Sequence, residues 1–210
     1  MAFMSSPSGG GDFKPFLKYN AKAGRWYTKA DEAGAVEYEV TNMTAVFDME
    51  NIHPGWFLFA AGVAPVKQLD PSMSQQSASP GDGFKRGFEM LVYSDKNLGG
   101  VREFASTAGV VIDAMNALHT DWEAAPERSS GKLPVVKCVG TLPITGKHGT
   151  NFSPALEIVS WVDRPSVLPG AQVASQQQAA APPPASSGHT PPPTARAPAP
   201  AMAGADDVEF

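Results

Sequence analysis

From Gly170 to Phe210 the chain runs through QQQAAAPPPASSGHTPPPTARAPAPAMAG, and Phe210 is its only aromatic residue. A segment so poor in bulky apolar side chains cannot bury enough surface to offset the entropy lost on ordering. Eight of the 20 prolines fall in it. It therefore confines any folded body to residues 13–169, with a flexible arm at 1–12, a disordered linker at 170–204 and a short terminal tip at 205–210. Within the body, the stretch from Asp70 to Gly83 (DPSMSQQSASPGDG) reads as a mobile loop.

Short β-type segments bounded by turn residues recur at about 13–19, 25–29, 36–50, 56–69, 84–94, 134–142 and 154–163. One helical pattern interrupts them. Val101, Phe104, Ala108, Val111, Met115, Leu118 and Trp122 follow one another at alternating steps of three and four, with Pro126 beyond as a stop. A single apolar stripe of this kind is expected to pack on a sheet. Several strands, one long helix and closing strands are the element order of an oligonucleotide-binding barrel, a mainly β fold whose helix lies between strands. A β-sandwich with an inserted helix would give a similar order.

The 210 residues carry 16 Lys and Arg against 21 Asp and Glu, a formal net charge of −5. The longest nearly apolar run, Trp56 to Val66, is interrupted by Pro65, and crossing a bilayer takes roughly 20 apolar residues. No membrane partner is expected. The opening residues, MAFMSSPSGGGD, lack the basic start and apolar stretch of a secretory signal, so a cytoplasmic protein is expected. Cys138 is the only cysteine, and His53, His119, His148 and His189 are scattered. Neither a disulfide nor a metal site has the spacing it needs, and no phosphate-cradling loop occurs, so no cofactor is expected.

Against this acidic balance, Phe13 to Lys29 (FKPFLKYNAKAGRWYTK) holds Lys14, Lys18, Lys22, Arg25 and Lys29, no acid, and the rings of Phe13, Phe16, Tyr19, Trp26 and Tyr27. Alternation along a strand puts Lys14, Phe16 and Lys18 on one face, and Arg25, Tyr27 and Lys29 on one face of the next strand. A ring between two cations suits a single strand of nucleic acid, because the phosphates meet the charges while a base stacks on the ring. Ordinary core aromatics beneath a solvated face are the bland alternative.

Three further segments add to this pattern. WFLFAAGV at 56–63 is apolar on both faces, so Phe57 would meet the helix, a second subunit of a homo-oligomer, or bases. FKRGFEMLVY at 84–93 sets Lys85 and Arg86 beside rings, and TGKHGTN at 145–151 offers Lys147 and His148 at a tip. Loops and strand faces of oligonucleotide-binding barrels make such contacts. Two carboxylate pairs at same-face spacing, Glu37 with Glu39 and Asp48 with Glu50, would suit a metal-dependent nuclease. A carbohydrate- or peptide-binding barrel is the third reading.

The chain ends in ADDVEF. Acids beside a terminal ring on a long linker form a peptide ligand for a basic, pocketed partner. This tip resembles the tails of bacterial single-stranded DNA-binding proteins and the acidic, phenylalanine-ended tails of their phage counterparts. Asp206, Asp207, Val208 and Phe210 match, and Glu209 stands where proline is usual. The resemblance, close in the tip and architectural in the body, implies a non-enzymatic phage-type protein that coats single-stranded DNA. It also implies that Asp206, Asp207, Val208, Glu209 and Phe210 recruit replication, recombination or repair proteins in a bacterial or phage-infected cell.

Overall fold

A computed structural model of the chain describes residues 14–29, 37–60, 65–147 and 149–170. The arm at 1–12, Phe13, His148, the linker beyond Gly170 and the tip at 205–210 lie outside the described residues.

The first hairpin follows directly from its sequence. In β1 (Phe16–Asn20) Leu17 and Tyr19 point inward, and in β2 (Arg25–Lys29) Trp26 and Thr28 do the same. Asn20 ties the turn between them, its side-chain oxygen accepting from the Lys22 and Ala23 amides at 3.0 and 3.2 Å. Gly24 completes it in the left-handed region at φ 66°. A Cβ there would also lie 3.1 Å from the Cβ of Phe152, so both backbone and space require glycine.

The segment expected as one strand at 36–50 is two, β3 (Tyr38–Glu39) and β4 (Thr44–Phe47). After a 3-10 turn at Met49–Asn51 come β5 (His53–Leu58) and β6 (Val66–Leu69), which divide the segment expected at 56–69. Then follow β7 (Lys85–Ser94), a one-turn helix α1 (Asp95–Leu98), β8 (Gly100–Ser106) and α2 (Gly109–Ala124). Two 14-residue strands, β9 (Leu133–Gly146) and β10 (Gly149–Val162), end the series and run well beyond their expected limits.

The helical reading of 101–122 is corrected at its start. Residues 100–106 are strand, paired antiparallel with β7 from Ser94↔Gly100 to Phe88↔Ser106 and parallel with β1 at Phe16↔Glu103 and Leu17↔Phe104. The helix begins only after Ser106, whose hydroxyl accepts from the Ala108 amide at 3.2 Å. From Val111 onward the expected stripe holds, since Val111, Met115, Leu118 and Trp122 are buried.

The protein is mainly β, with a curled, open sheet. Its order is β10-β9-β4-β7-β8-β1-β2-β3, while β5 extends the line of β4 along β7 and carries β6. Strands β4, β7 and β8 are successive antiparallel neighbours, and β9 returns through α2 to lie beside β4. This is the Greek-key arrangement. One backbone bond links the β10 end of the sheet to the first hairpin: the Phe152 amide of β10 donates to the Ala21 carbonyl in the β1–β2 turn at 2.7 Å.

The core lies between the curled sheet and α2. Phe104 sits at its centre, with the rings of Trp26 and Phe88 each 5.3 Å away and Phe47 at 6.1 Å. A second cluster forms where the chain after β10 folds back, burying Leu168 against Val46 and Leu133. Arg164 fixes that segment by donating to both oxygens of the buried Asp48 at 2.8 and 2.9 Å.

The stretch at 70–83, expected to be mobile, is pinned. Asp70 accepts two bonds from Arg86 at 2.6 and 3.0 Å and two from the Ser77 amide and hydroxyl, while the Trp56 indole donates to the Ser77 carbonyl at 2.9 Å. The Arg86 guanidinium, beside an Asp70 side chain only 2% exposed, holds its carboxyl well below the usual carboxylate range. A buried acid so satisfied anchors a loop whose composition alone suggests freedom. No helix among the described residues is long and apolar enough to cross a membrane.

Candidate nucleic-acid interface

The outer face of β1 and β2 brings together much of the basic and aromatic set. Because the strands alternate sides, the inward positions of Leu17, Tyr19, Trp26 and Thr28 leave Phe16, Lys18, Arg25, Tyr27 and Lys29 facing outward. The register sets Phe16 opposite Lys29, Lys18 opposite Tyr27 and Asn20 opposite Arg25. Ring and cation thus face each other in two successive rows. The Lys18 ammonium lies 6.0 Å from the centroid of the Tyr27 ring, the outer limit of a cation–π contact.

At the turn end of this face, Lys22 approaches the β9–β10 tip: a Cβ built on Gly149 would lie 3.9 Å from its Nζ. Lys147, exposed at the same tip, is therefore in the same neighbourhood. Lys14, beyond the start of β1, is exposed and sits 3.6 Å from Glu103.

Three expected contacts are overturned. Tyr19, Trp26 and Phe57 are 6%, 4% and 1% exposed, so none presents a ring to a base. Tyr19 and Trp26 tilt against each other at 4.8 Å inside the core. Their strands carry aromatics on both faces, and the inward one is required to fill the core. Burial pushes the Tyr19 hydroxyl up to about 12, with Cys138 adding to the effect, and among the described residues that hydroxyl and the Trp26 indole nitrogen have no hydrogen-bond partner.

Lys85 and Arg86 belong to another part of the sheet, where β7 meets β5. Lys85 is exposed, but Arg86 is occupied by Asp70 and lies 5.3 Å over the Trp56 ring. His148 and the five tip residues Asp206 to Phe210 lie outside the described residues.

The carboxylate pairs meet cations. Lys18 bonds both oxygens of Glu37 at 2.8 Å, and Arg25 bonds Glu39 at 2.9 Å. Glu37 and Glu39 thus line the basic face itself, which spacing along the sequence did not reveal. Asp48 and Glu50 share the Arg164 guanidinium, with Glu50 at 2.5 Å. A metal at that pair would have to displace it. Among the described residues no group of three or more His, Cys, Asp or Glu side chains stands ready to hold a metal ion.

A cavity of about 240 Å³ is lined by Lys14, Asp48, Asn51, His53, Glu89 and Glu103, among others. Its acids are already met. Arg164 takes Asp48, while Lys67, whose role the sequence did not disclose, bridges Glu89 and Glu103. Burial works to lower the Lys67 pKa, but bonds to the two glutamates outweigh it and raise it above the ordinary value.

Comparison of the chain with protein-family models, with curated proteins and with solved structures gives no match.

Proposed function

We propose that this protein binds single strands of DNA with little sequence preference through the outer face of β1 and β2. The observation that carries the reading is the register of that hairpin, which sets Lys29 across from Phe16 and Tyr27 across from Lys18. Stacking on Phe16 or Tyr27 accepts any base, and the flanking cations meet phosphates at intervals along a strand. Lys22 and Lys147 extend the track toward the hairpin tip. The acidic, phenylalanine-ended tip at 205–210 acts separately, as a tethered peptide that recruits replication or recombination proteins in the cytoplasm of a bacterial or phage-infected cell.

An oligonucleotide-binding barrel is the architecture this reading favours. Its five strands form a Greek-key barrel with a helix between the third and fourth. Here β4, β7 and β8 stand for the first three, α2 for the helix, and β9 and β10 for the last two. The hairpin β1–β2 then occupies the gap where the third and fifth strands would meet, and the Phe152 to Ala21 bond spans it. In such barrels the second and third strands offer the usual binding face. That face is taken in this chain, because Lys67 lies across Glu89 and Glu103 and Leu168 packs beside Leu91, Tyr93 and Val101. The inserted hairpin supplies the alternative, a basic and aromatic face whose ion pairs to Glu37 and Glu39 are solvent-exposed.

The direct experiment replaces Lys18 and Arg25 together by alanine and follows anisotropy of a labelled oligo(dT). Binding should weaken strongly while the fold is retained. Unchanged binding would remove the face from consideration.

A further inference from the structure

We infer that Glu37 and Glu39 are a built-in phosphate mimic, which occupies the cationic face of β1 and β2 in the free protein and is exchanged for the backbone of an incoming strand. The inference rests on the reading of that face as the nucleic-acid site.

Three observations converge on it. First, the two acids engage two cations of that face, Lys18 across from Tyr27 and Arg25 two residues before it: Lys18 holds both oxygens of Glu37, and Arg25 holds one oxygen of Glu39. Carboxylate and phosphate oxygens are interchangeable partners for these groups, and a guanidinium takes either. Second, the acids are two residues apart, Glu37 just before β3 and Glu39 within it, a separation of up to about 6.6 Å at 3.3 Å per residue. Successive phosphates of a stretched single strand can match such a spacing. Third, the contacts are open to exchange. The four side chains are between 38% and 59% exposed, and exposed pairs of this kind are held weakly.

The strand that carries Glu39 and directly follows Glu37 is also lightly attached. Among the described residues β3 pairs with β2 at Tyr27↔Glu39 and Thr28↔Tyr38, and the Val40 amide donates to the Trp26 carbonyl at 2.8 Å. It is the terminal strand of the sheet path. Neither acid needs β3 to detach, because rotation of the two glutamate side chains uncovers the cations. A chain of net charge −5 thereby satisfies its own basic face until a denser row of negative charge competes for it.

The test compares the full-length protein with two double variants of equal charge change, Glu37→Gln/Glu39→Gln and Asp113→Asn/Asp121→Asn, the second on the exposed side of α2. Binding of fluorescein-labelled oligo(dT) is followed by anisotropy across a salt series. Removing two weak competing pairs should tighten binding about two- to twentyfold at low salt in the β3 variant. Two phosphates then meet uncompensated cations, so its log K against log salt should steepen by up to about 1.4. The α2 variant should stay within about twofold of the parent. Equal tightening by both variants would reduce the effect to net charge and overturn the inference. If the β3 variant binds like the parent while Lys18→Ala/Arg25→Ala loses binding, the face is the site and the mimic is wrong. If neither of these variants changes binding, both readings fall.

Discussion

Lys18 and Tyr27 lie directly across from each other on the outer face of the first hairpin, with the ammonium 6.0 Å from the ring centroid. In the next row toward the turn, Tyr19 and Trp26 are also cross-strand partners, but they face the core. The hairpin thus separates two aromatic sets that are interleaved in sequence.

That separation gives opposite outcomes for neighbouring substitutions. Tyr27→Ala should cost about 1 to 3 kcal/mol of single-strand binding and change stability by no more than about 1 kcal/mol. Trp26→Ala should instead destabilise the fold by about 3 to 5 kcal/mol, because it leaves a cavity beside Phe104. Urea unfolding and anisotropy on the same two variants check this pair of expectations.

The pinned loop predicts a pH response. Asp70 has its folded pKa depressed by Arg86, against an unfolded value of about 3.9. Its contribution is therefore complete above the unfolded value and is lost as pH falls toward the folded one. Asp70→Asn should lower stability by about 1 to 3 kcal/mol at neutral pH, since Arg86 is one-third exposed and partly screened. Thermal melts of parent and variant should converge as the pH is taken below 4, whereas a constant gap would contradict the assignment.

Asp48 is fully buried and held by Arg164 from the segment after β10. Arg164→Ala would leave that carboxylate without its guanidinium and should cost about 3 to 5 kcal/mol. Arg164→Met/Asp48→Leu should recover much of the loss, because no buried charge then remains. A double-mutant cycle by urea unfolding measures the coupling.

Deleting residues 205–210 should leave single-strand affinity unchanged or raise it at low salt, since three acids are removed. Recruitment of replication or recombination proteins should be lost, and removal of Phe210 alone should reproduce that loss. Pull-down with full-length and truncated chains checks both. Loss of DNA binding on deletion would contradict a separately acting tip.

The boundaries of β2 and the buried stripe from Val111 to Trp122 were legible in the sequence because turns or a clear period marked them. Strand β8 was not. Its inward positions are Arg102, Phe104 and Ser106, and a buried arginine and serine hide the alternation that marks a strand. Arg102 is accommodated there because its side chain donates to Thr28 at 3.0 Å, a bond that only the folded sheet creates, and to the adjacent Val101 carbonyl at 2.8 Å. The same limit applies at the interface. The aromatic and basic composition of 13–29 was evident, but composition does not say which rings a core will claim. Nor does it show that acids 14 and 19 residues away return to the cations.

The central claim is tested most directly by titrating labelled oligo(dT) with the intact protein over a series of salt concentrations. The account predicts saturable binding whose log K falls with log salt at a slope between about −1.4 and −3.5, for two to five neutralised phosphates. Absence of binding at low salt, or a slope indistinguishable from zero, would contradict a nucleic-acid interface on β1 and β2.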